Sequence, residues 1–271
     1  MKPVILFRKD FNFDNEMEIA SKYFDVYTSR TAIPKNSLVI GRYSCLPYYH
    51  ELVEDLKFNN SQLINGLYEH QYIANFDYYY DVEKMTFPTW FNLSDMPMSK
   101  RDKPIVLKGK TNSKKFQWKT HMFAENFQKA VHMSAELLND PFIGPQGLIY
   151  REYIPLETFE IGVNDIPMTN EWRLFFYKNQ LITYAYYWGI LDDLSIIDTI
   201  KQDFIDNGIP FAQSVAKEIS EFTNFFVLDV AKTQDGKWIL VEVNDGQQSG
   251  LNGMINPEEL YSNLSKQFDK I

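Results

Sequence analysis

The stretch from Phe225 to Gly250, FFVLDVAKTQDGKWILVEVNDGQQSG, constrains this chain most. Two apolar runs rich in β-branched and aromatic residues flank Gln234-Asp235-Gly236. Asp-Gly between such runs is a strong hairpin signal, because a primed turn needs positive φ at both central residues. The pattern predicts strands over residues 225–231 and 237–244. A two-residue turn at Asp235-Gly236 pairs Gln234 with Lys237, Asp229 with Glu242 and Val227 with Asn244. A four-residue loop keeps that register, and a three-residue loop breaks its parity. Like charges directly opposed across a strand pair destabilise it. Asp229 also sits in an apolar run, where an uncompensated charge is expensive. Two carboxylates and an amide oxygen on one face therefore want a cation, and oxygen-only ligands select a hard ion such as Mg²⁺ or Mn²⁺. The bland alternative is a solvated face of an edge hairpin.

The N-terminal third alternates strand and helix. Residues 3–7, 24–28 and 37–40 read as short strands, with a helix over 15–23, which predicts an α/β lobe with some parallel pairing. Gly41-Arg42-Tyr43-Ser44 ends a strand and opens a further helix. Residues 63–80 carry apolar side chains, and His70, at roughly helical spacing. Residues 83–97, dotted with Pro and Met, read as the connection into a second lobe. A chain of 271 residues suffices for one large domain or two to three lobes.

Bulk properties then exclude some classes. A net charge of −9 argues against a general nucleic-acid or membrane-surface binder. The single cysteine, Cys45, excludes an internal disulfide and a cysteine-cluster metal site. No stretch approaches a membrane span, and the first apolar run is too short for a signal-peptide core. A soluble, cytoplasmic protein is the expectation. The aromatic content of 16% predicts thick aromatic packing and leaves a homodimer surface open.

Against that acidic background, residues 100–119 form a cationic island. Lys100, Arg101, Lys103, Lys108, Lys110, Lys114, Lys115 and Lys119 face only Asp102. Ile105-Val106-Leu107 reads as a buried strand with Lys108 at its end, running into the small polar loop GKTNSKK. Ammonium and backbone N–H donors together suit phosphate. The Walker A pattern is absent. A solvated basic turn is the alternative, and contact with a nucleic-acid backbone stays open for this segment alone. Further on, a helix is expected over 123–138, strands over 147–154, 171–177 and 181–188, and helices over 207–222 and 257–268. Arg173 alternates with Glu171 and Phe175, and an arginine among apolar strand residues usually has an anionic partner.

In order, the signals are a strand ending in Lys108, a small-residue loop, a helix, the strand IYREYIPLE, EWR, then Asp229 and Glu242-Val-Asn244. This order resembles the ATP-grasp superfamily. The words KGKTNSKKFQWKTHMFA, REYIPLE and VEVNDGQQSGL are similar to a branch common in bacterial and phage genomes, named for an arginine and two lysines. The resemblance runs from Lys103 to the C-terminus, and more loosely over GRYSCLPYY and residues 63–80. It implies an α+β fold in which two α+β lobes clamp ATP, preceded by a small α/β pre-ATP-grasp domain. The corresponding boundaries are 1–95 and 96–271, with lobes of about 96–153 and 154–271.

The resemblance also implies roles. Lys108 contacts the α/β-phosphates, and Ser113, Lys114 and Lys115 lie in the loop that closes on phosphate, which is lysine-rich here rather than glycine-rich. The backbone of Glu152, Tyr153 and Ile154 forms the adenine hinge. Glu157 binds ribose, preceded by Pro-Leu instead of the usual glycine. Arg173 meets the γ-phosphate, and Asp229, Glu242 and Asn244 hold Mg²⁺. Arg42 and His70 fall where relatives recognise the carboxylate substrate, and residues 246–250 wall the acceptor site. The implied activity is ATP- and Mg²⁺-dependent ligation of a small-molecule or peptide carboxylate to an amine through an acylphosphate. The alternatives are a non-catalytic ATP-binding module, which tolerates loss of a metal ligand, and a phosphotransferase, which needs a general base the sequence does not name.

Overall fold

A computed structural model describes residues 2–8, 15–191 and 193–269. The chain opens with β1 (Val4–Leu6), α1 (Glu16–Ala20), β2 (Val26–Tyr27), β3 (Leu38–Gly41), α2 (Tyr49–Lys57) and β4 (Gln62–Leu63). These strands form an all-parallel sheet in the order β2-β1-β3-β4. The apolar runs VIL and LVIG are almost wholly buried, as expected of parallel strands covered on both faces. The segment 63–80, read as one helical stretch, breaks into α3 (Leu67–Ala74) and α4 (Tyr79–Val82). Phe76, at φ +68°, marks the break.

Next come β5 (Thr89–Trp90), β6 (Ile105–Gly109), β7 (Phe123–Ala124), α5 (Phe127–Leu138) and β8 (Leu148–Glu152). They build an antiparallel sheet, β5-β8-β6-β7. The segment 83–97 is thus more than a connection, since its Thr89 and Trp90 pair with Arg151 and Tyr150. Asn126 caps α5, its side-chain oxygen accepting from the Lys129 N–H. The helix therefore starts four residues later than its apolar pattern predicts, after a short strand.

The second half contains β9 (Thr158–Ile161), β10 (Pro167–Thr169), β11 (Glu171–Tyr177) and β12 (Gln180–Tyr186). It continues with α6 (Ile196–Asp203), α7 (Ile209–Ile219), β13 (Phe225–Lys232), β14 (Trp238–Asp245) and α8 (Pro257–Lys266). The main sheet is antiparallel, β12-β11-β13-β14. Its strands alternate between two cores. Trp172, Leu174, Phe176, Phe226, Leu228 and Val230 pack towards α7 and Phe204. Phe175, Phe225 and Val227 pack the other way, on α8 and on Ile5 and Ile40 of the parallel sheet. The period of two thus sends Arg173 and Asp229 to the same side as Phe175 and Val227.

The pairing of β13 with β14 corrects the expected turn. Asp229 does lie opposite Glu242, and Val227 opposite Asn244. The loop, however, has three residues. Thr233 N–H donates to the Lys237 carbonyl at 2.7 Å, and Gly236, at φ +86°, donates to the Thr233 carbonyl at 2.9 Å. The Thr233 hydroxyl also accepts from Lys237 N–H at 3.0 Å, closing the loop one residue early. Parity is restored by a β-bulge. Val230 pairs with Leu240 while Asp229 pairs with Glu242, so Val241 is the extra residue. Bulges re-aim side chains beside functional sites. Without this one, Glu242 would oppose Leu228 and enter the core.

Candidate active site

A cleft runs between the two antiparallel sheets. Val106, Lys108 and Arg151 line it from one side, and Glu171, Asp229 and Glu242 from the other. Asp229 is buried to 1% exposure at the middle of the main sheet. Arg173, directly opposite on β11, grips it with both arms, Nε to Oδ1 at 2.8 Å and Nη2 to Oδ2 at 2.7 Å. Burial opposes the guanidinium charge, but the Asp229 carboxylate outweighs burial and holds the Arg173 pKa above its ordinary value. Lys108, buried at the end of β6, reaches across the cleft and donates from Nζ to Glu242 Oε1. Asn244 completes the set, with Nδ2 3.3 Å from Asp229 Oδ2. The hairpin face is therefore neither solvated nor bare: each carboxylate has a cationic partner.

Three oxygen-bearing side chains converge there, two of them carboxylates. Among the described residues no cluster of three or more His, Cys, Asp or Glu could hold an ion alone, and the third oxygen-bearing side chain beside these two carboxylates is the Asn244 amide. That donor set fits a hard divalent cation. An incoming ion would take the place that Lys108 and Arg173 now fill.

The loop after β6 separates its two adjacent lysines. Lys114 leans outward onto Asp140 at 2.5 Å, and the Lys114 hydrogen bond, with two backbone N–H groups, lowers the Asp140 pKa to about 2. Lys115 turns inward, lining the cleft with Ser113. Its Nζ donates to Tyr187 Oη at 2.6 Å and sits 5.3 Å from the Trp188 ring centre. Burial pulls the Lys115 pKa below its usual value despite the Glu171 charge nearby. Glu171 is buried too, and desolvation, followed by the Asp229 charge, pushes its carboxyl up to about 8.

At the far end, Glu152, Tyr153 and Ile154 line the same cleft. The Glu152 side chain holds Lys100 at 2.7 Å, and Tyr153 N–H is committed to the Pro104 carbonyl at 3.1 Å. Ile154 N–H has no hydrogen-bond partner among the described residues, so this edge presents one free backbone donor. Glu157 is turned away from the cleft lining and accepts from Asn170 Nδ2 at 2.8 Å. The carboxylate that does face this cleft beside Thr169 is Glu171. Its signal was the alternation of Glu171 with Arg173. Tyr187 and Trp188 carried none beyond their aromatic run.

A second, more polar cavity adjoins the first and shares Ser113, Tyr187 and Glu242 with it, and Arg173 lines this second space. Its other walls include His70, Asn112, Asn244, Gln248 and Ser249, so of the segment 246–250 it is residues 248–250 that face this space. Arg42 does not. It is buried on Glu16 at 2.8 Å and donates to the Gly246 carbonyl, bracing that segment from behind.

Two lobes closing on a cleft with a late paired-carboxylate hairpin define the ATP-grasp class. The chain belongs to this family: the model of the ATP-grasp domain, R2K clade family 3, matches residues 97–264. No curated protein matches the chain in sequence. Among solved structures it is similar to D-cycloserine synthetase DcsG, at 11% identity and a TM-score of 0.59 over 97% of this chain and 99% of that one. It also resembles the ATP-grasp ligase PsnB complexed with minimal precursor, Mg and ADP, at 8% identity and a TM-score of 0.57 over 98% of both chains. A third is the RimK domain protein ATP-grasp from Sphaerobacter thermophilus DSM 20745, at 13% identity and a TM-score of 0.56 over 97% and 98%. Identities this low establish the shared fold. Among the described residues no helix is long and apolar enough to cross a membrane.

Proposed function

We propose that the chain is an ATP- and Mg²⁺-dependent carboxylate–amine ligase working through an acylphosphate. The observation that carries this reading is the convergence of Lys108, Arg173, Asp229, Glu242 and Asn244 where the cleft meets the second cavity. It supplies cations for phosphate and oxygens for a hard metal. The names of similar structures lean the same way: a D-cycloserine synthetase, and a ligase complexed with minimal precursor, Mg and ADP. In this reading residues 1–95 form a pre-ATP-grasp domain, and 96–153 and 154–271 the two lobes, with Thr89 and Trp90 lending an edge strand to the first lobe.

Each residue then has a task. Ile154 N–H donates to an adenine nitrogen, with the backbone of Glu152 and Tyr153 along the same edge. Lys108 leaves Glu242 for the α/β-phosphates. Lys115, with Ser113, covers the phosphate chain, while Lys114 stays on Asp140. Glu157 reaches ribose only by giving up Asn170. Arg173 stabilises the charge that spreads over the transferring γ-phosphoryl group. Asp229, Glu242 and Asn244 would hold Mg²⁺, which when bound neutralises phosphate oxygens and aligns them. The substrate carboxylate attacks phosphorus, ADP departs, and an amine then displaces phosphate. Positioning and charge neutralisation do the work, and no protein nucleophile is required.

The test is ATP turnover with hydroxylamine and a panel of common amino acids and short peptides as carboxylates. Hydroxylamine converts an acylphosphate into a hydroxamate. ADP and hydroxamate appearing together, dependent on Mg²⁺ and one carboxylate, is the expected result. A phosphorylated hydroxyl acceptor, or no turnover with any carboxylate, would overturn the reading.

A further inference from the structure

His70 projects from α3 into the second cavity, beside Asn244 and Gln248. It is buried to 5% exposure. Its Nδ1 lies 3.0 Å from Asp245 Oδ2. The other oxygen of Asp245 accepts from Asn65 Nδ2 and Gln247 N–H, both at 2.9 Å. Gln248 Nε2 also lies 3.1 Å from the same Nδ1. The Asp245 carboxylate can only accept and is the stronger partner of the two, which places the proton on Nδ1. Tyr49 stacks flat on the imidazole, with ring centres 3.7 Å apart and planes 5° apart. Tyr49 is itself pinned, donating to the Asn65 carbonyl at 2.6 Å and accepting from Gln247 Nε2 at 2.7 Å.

The outcome is one imidazole held in one tautomer and one plane. Nε2, the nitrogen that carries the lone pair, makes no hydrogen bond to the described residues. A histidine that only braced α3 against β14 would be expected to have both nitrogens engaged. A carboxylate on one nitrogen and an open lone pair on the other is the arrangement of an oriented general base. The cavity it edges shares Ser113, Tyr187 and Glu242 with the nucleotide cleft and is itself lined by Arg173. That is where an acylphosphate would lie.

We infer that His70, oriented by Asp245 and Tyr49, takes the proton from the incoming ammonium group in the amide-forming step. This rests on the ligase reading above. A substrate ammonium gives one proton to Nε2, and the freed nitrogen lone pair attacks the acyl carbon. The carbon–oxygen bond to the phosphoryl group breaks, and phosphate leaves carrying the second nitrogen proton. His70 returns its proton to solvent. Asp245 and Tyr49 are positioning residues. The acceptor is accordingly a protonated primary amine, not a nucleophile that is already a free base.

The experiment compares amide with hydroxamate formation in the full chain and in His70→Asn. The asparagine amide can still donate to Asp245 from about the Nδ1 position, so the network is kept while Nε2 is lost. Hydroxylamine is a free base at neutral pH and needs no proton removed first. The amide-to-hydroxamate ratio should fall in the variant by about 10²–10⁴-fold, the span of general acid–base catalysis. Retained Mg²⁺–ATP affinity by calorimetry would show that the cleft is intact. A ratio equal to the parent's, or equal losses of both products, would overturn the assignment of His70 as base. Absence of hydroxamate from the parent chain itself would instead overturn the ligase reading.

Discussion

The β11–β13–β14 face and the loop from Gly109 to Lys119 border the same cleft by different means. On the face, Asp229 is buried and Arg173 half-buried, paired through two hydrogen bonds and locked by the strand register. On the loop, Lys114 and Lys119 reach Asp140 and Asp165 through partly exposed ion pairs. Asn164 Nδ2 adds one bond to the Phe116 carbonyl at 2.7 Å. Buried pairs are costly to break on one side only, whereas exposed ones contribute little. The sheet therefore fixes where charge sits, and the loop, with far less at stake, is free to open for a nucleotide and close on it.

The sharpest break in that contrast is stability. Asp229→Ala leaves the half-buried Arg173 without its carboxylate partner and should lower unfolding free energy by about 3 kcal/mol in urea titration. Asp140→Ala, on the loop side, should cost only about 1 kcal/mol, since it loses a partly exposed ion pair and the bonds from Phe142 and Ile143 N–H. Equal midpoints for the two variants would erase the distinction between face and loop.

Next in size is the difference between adjacent lysines. Lys115→Ala should reduce ATP turnover on the order of 10²-fold, by analogy with losing one preorganised donor to transition-state charge. Lys114→Ala should cost much less, because that side chain already points at Asp140. Steady-state kinetics on the two variants decides, and a larger loss for Lys114 would mean that the loop reorganises on binding.

A smaller effect lies in pH dependence. Glu171 has its carboxyl raised to about 8 from an ordinary 4.5. Between those values the folded chain holds a proton that the unfolded chain has released. This group's contribution to stability is therefore full below pH 4.5 and is lost as pH rises towards 8. Lys115 is shifted downward and has the opposite slope, so the parent must be compared with Glu171→Gln, not read alone. The variant should gain stability relative to the parent as pH rises through that window. Parallel curves would mean that Glu171 is ionised in the folded state.

Much of this was legible in the sequence. The alignment of Asp229 with Glu242 and of Val227 with Asn244 followed from strand parity, and the apolar surroundings of Arg173 called for an anionic partner without saying which. The turn was not, since a threonine hydroxyl shortened the expected pairing and a bulge at Val241 repaired it. Such compensation leaves no periodic trace. Lys114 and Lys115 are chemically alike, and it is their tertiary partners, Asp140 and Tyr187, that tell them apart. Glu157 and Arg42 face away from the cleft for the same reason: their partners, Asn170 and Glu16, are set by tertiary contacts. The base-like geometry of His70 depends on Asp245, 175 residues distant.

The most direct measurement is ATP binding by calorimetry, with and without Mg²⁺, on the parent chain and on Glu242→Ala. The account predicts Mg²⁺-enhanced binding by the parent. It also predicts that the variant still binds ATP through Lys108, Lys115 and the hinge but no longer responds to Mg²⁺. A parent chain that ignores ATP, or a variant with undiminished Mg²⁺ dependence, would contradict it and leave the paired carboxylates as partners of Lys108 and Arg173 alone.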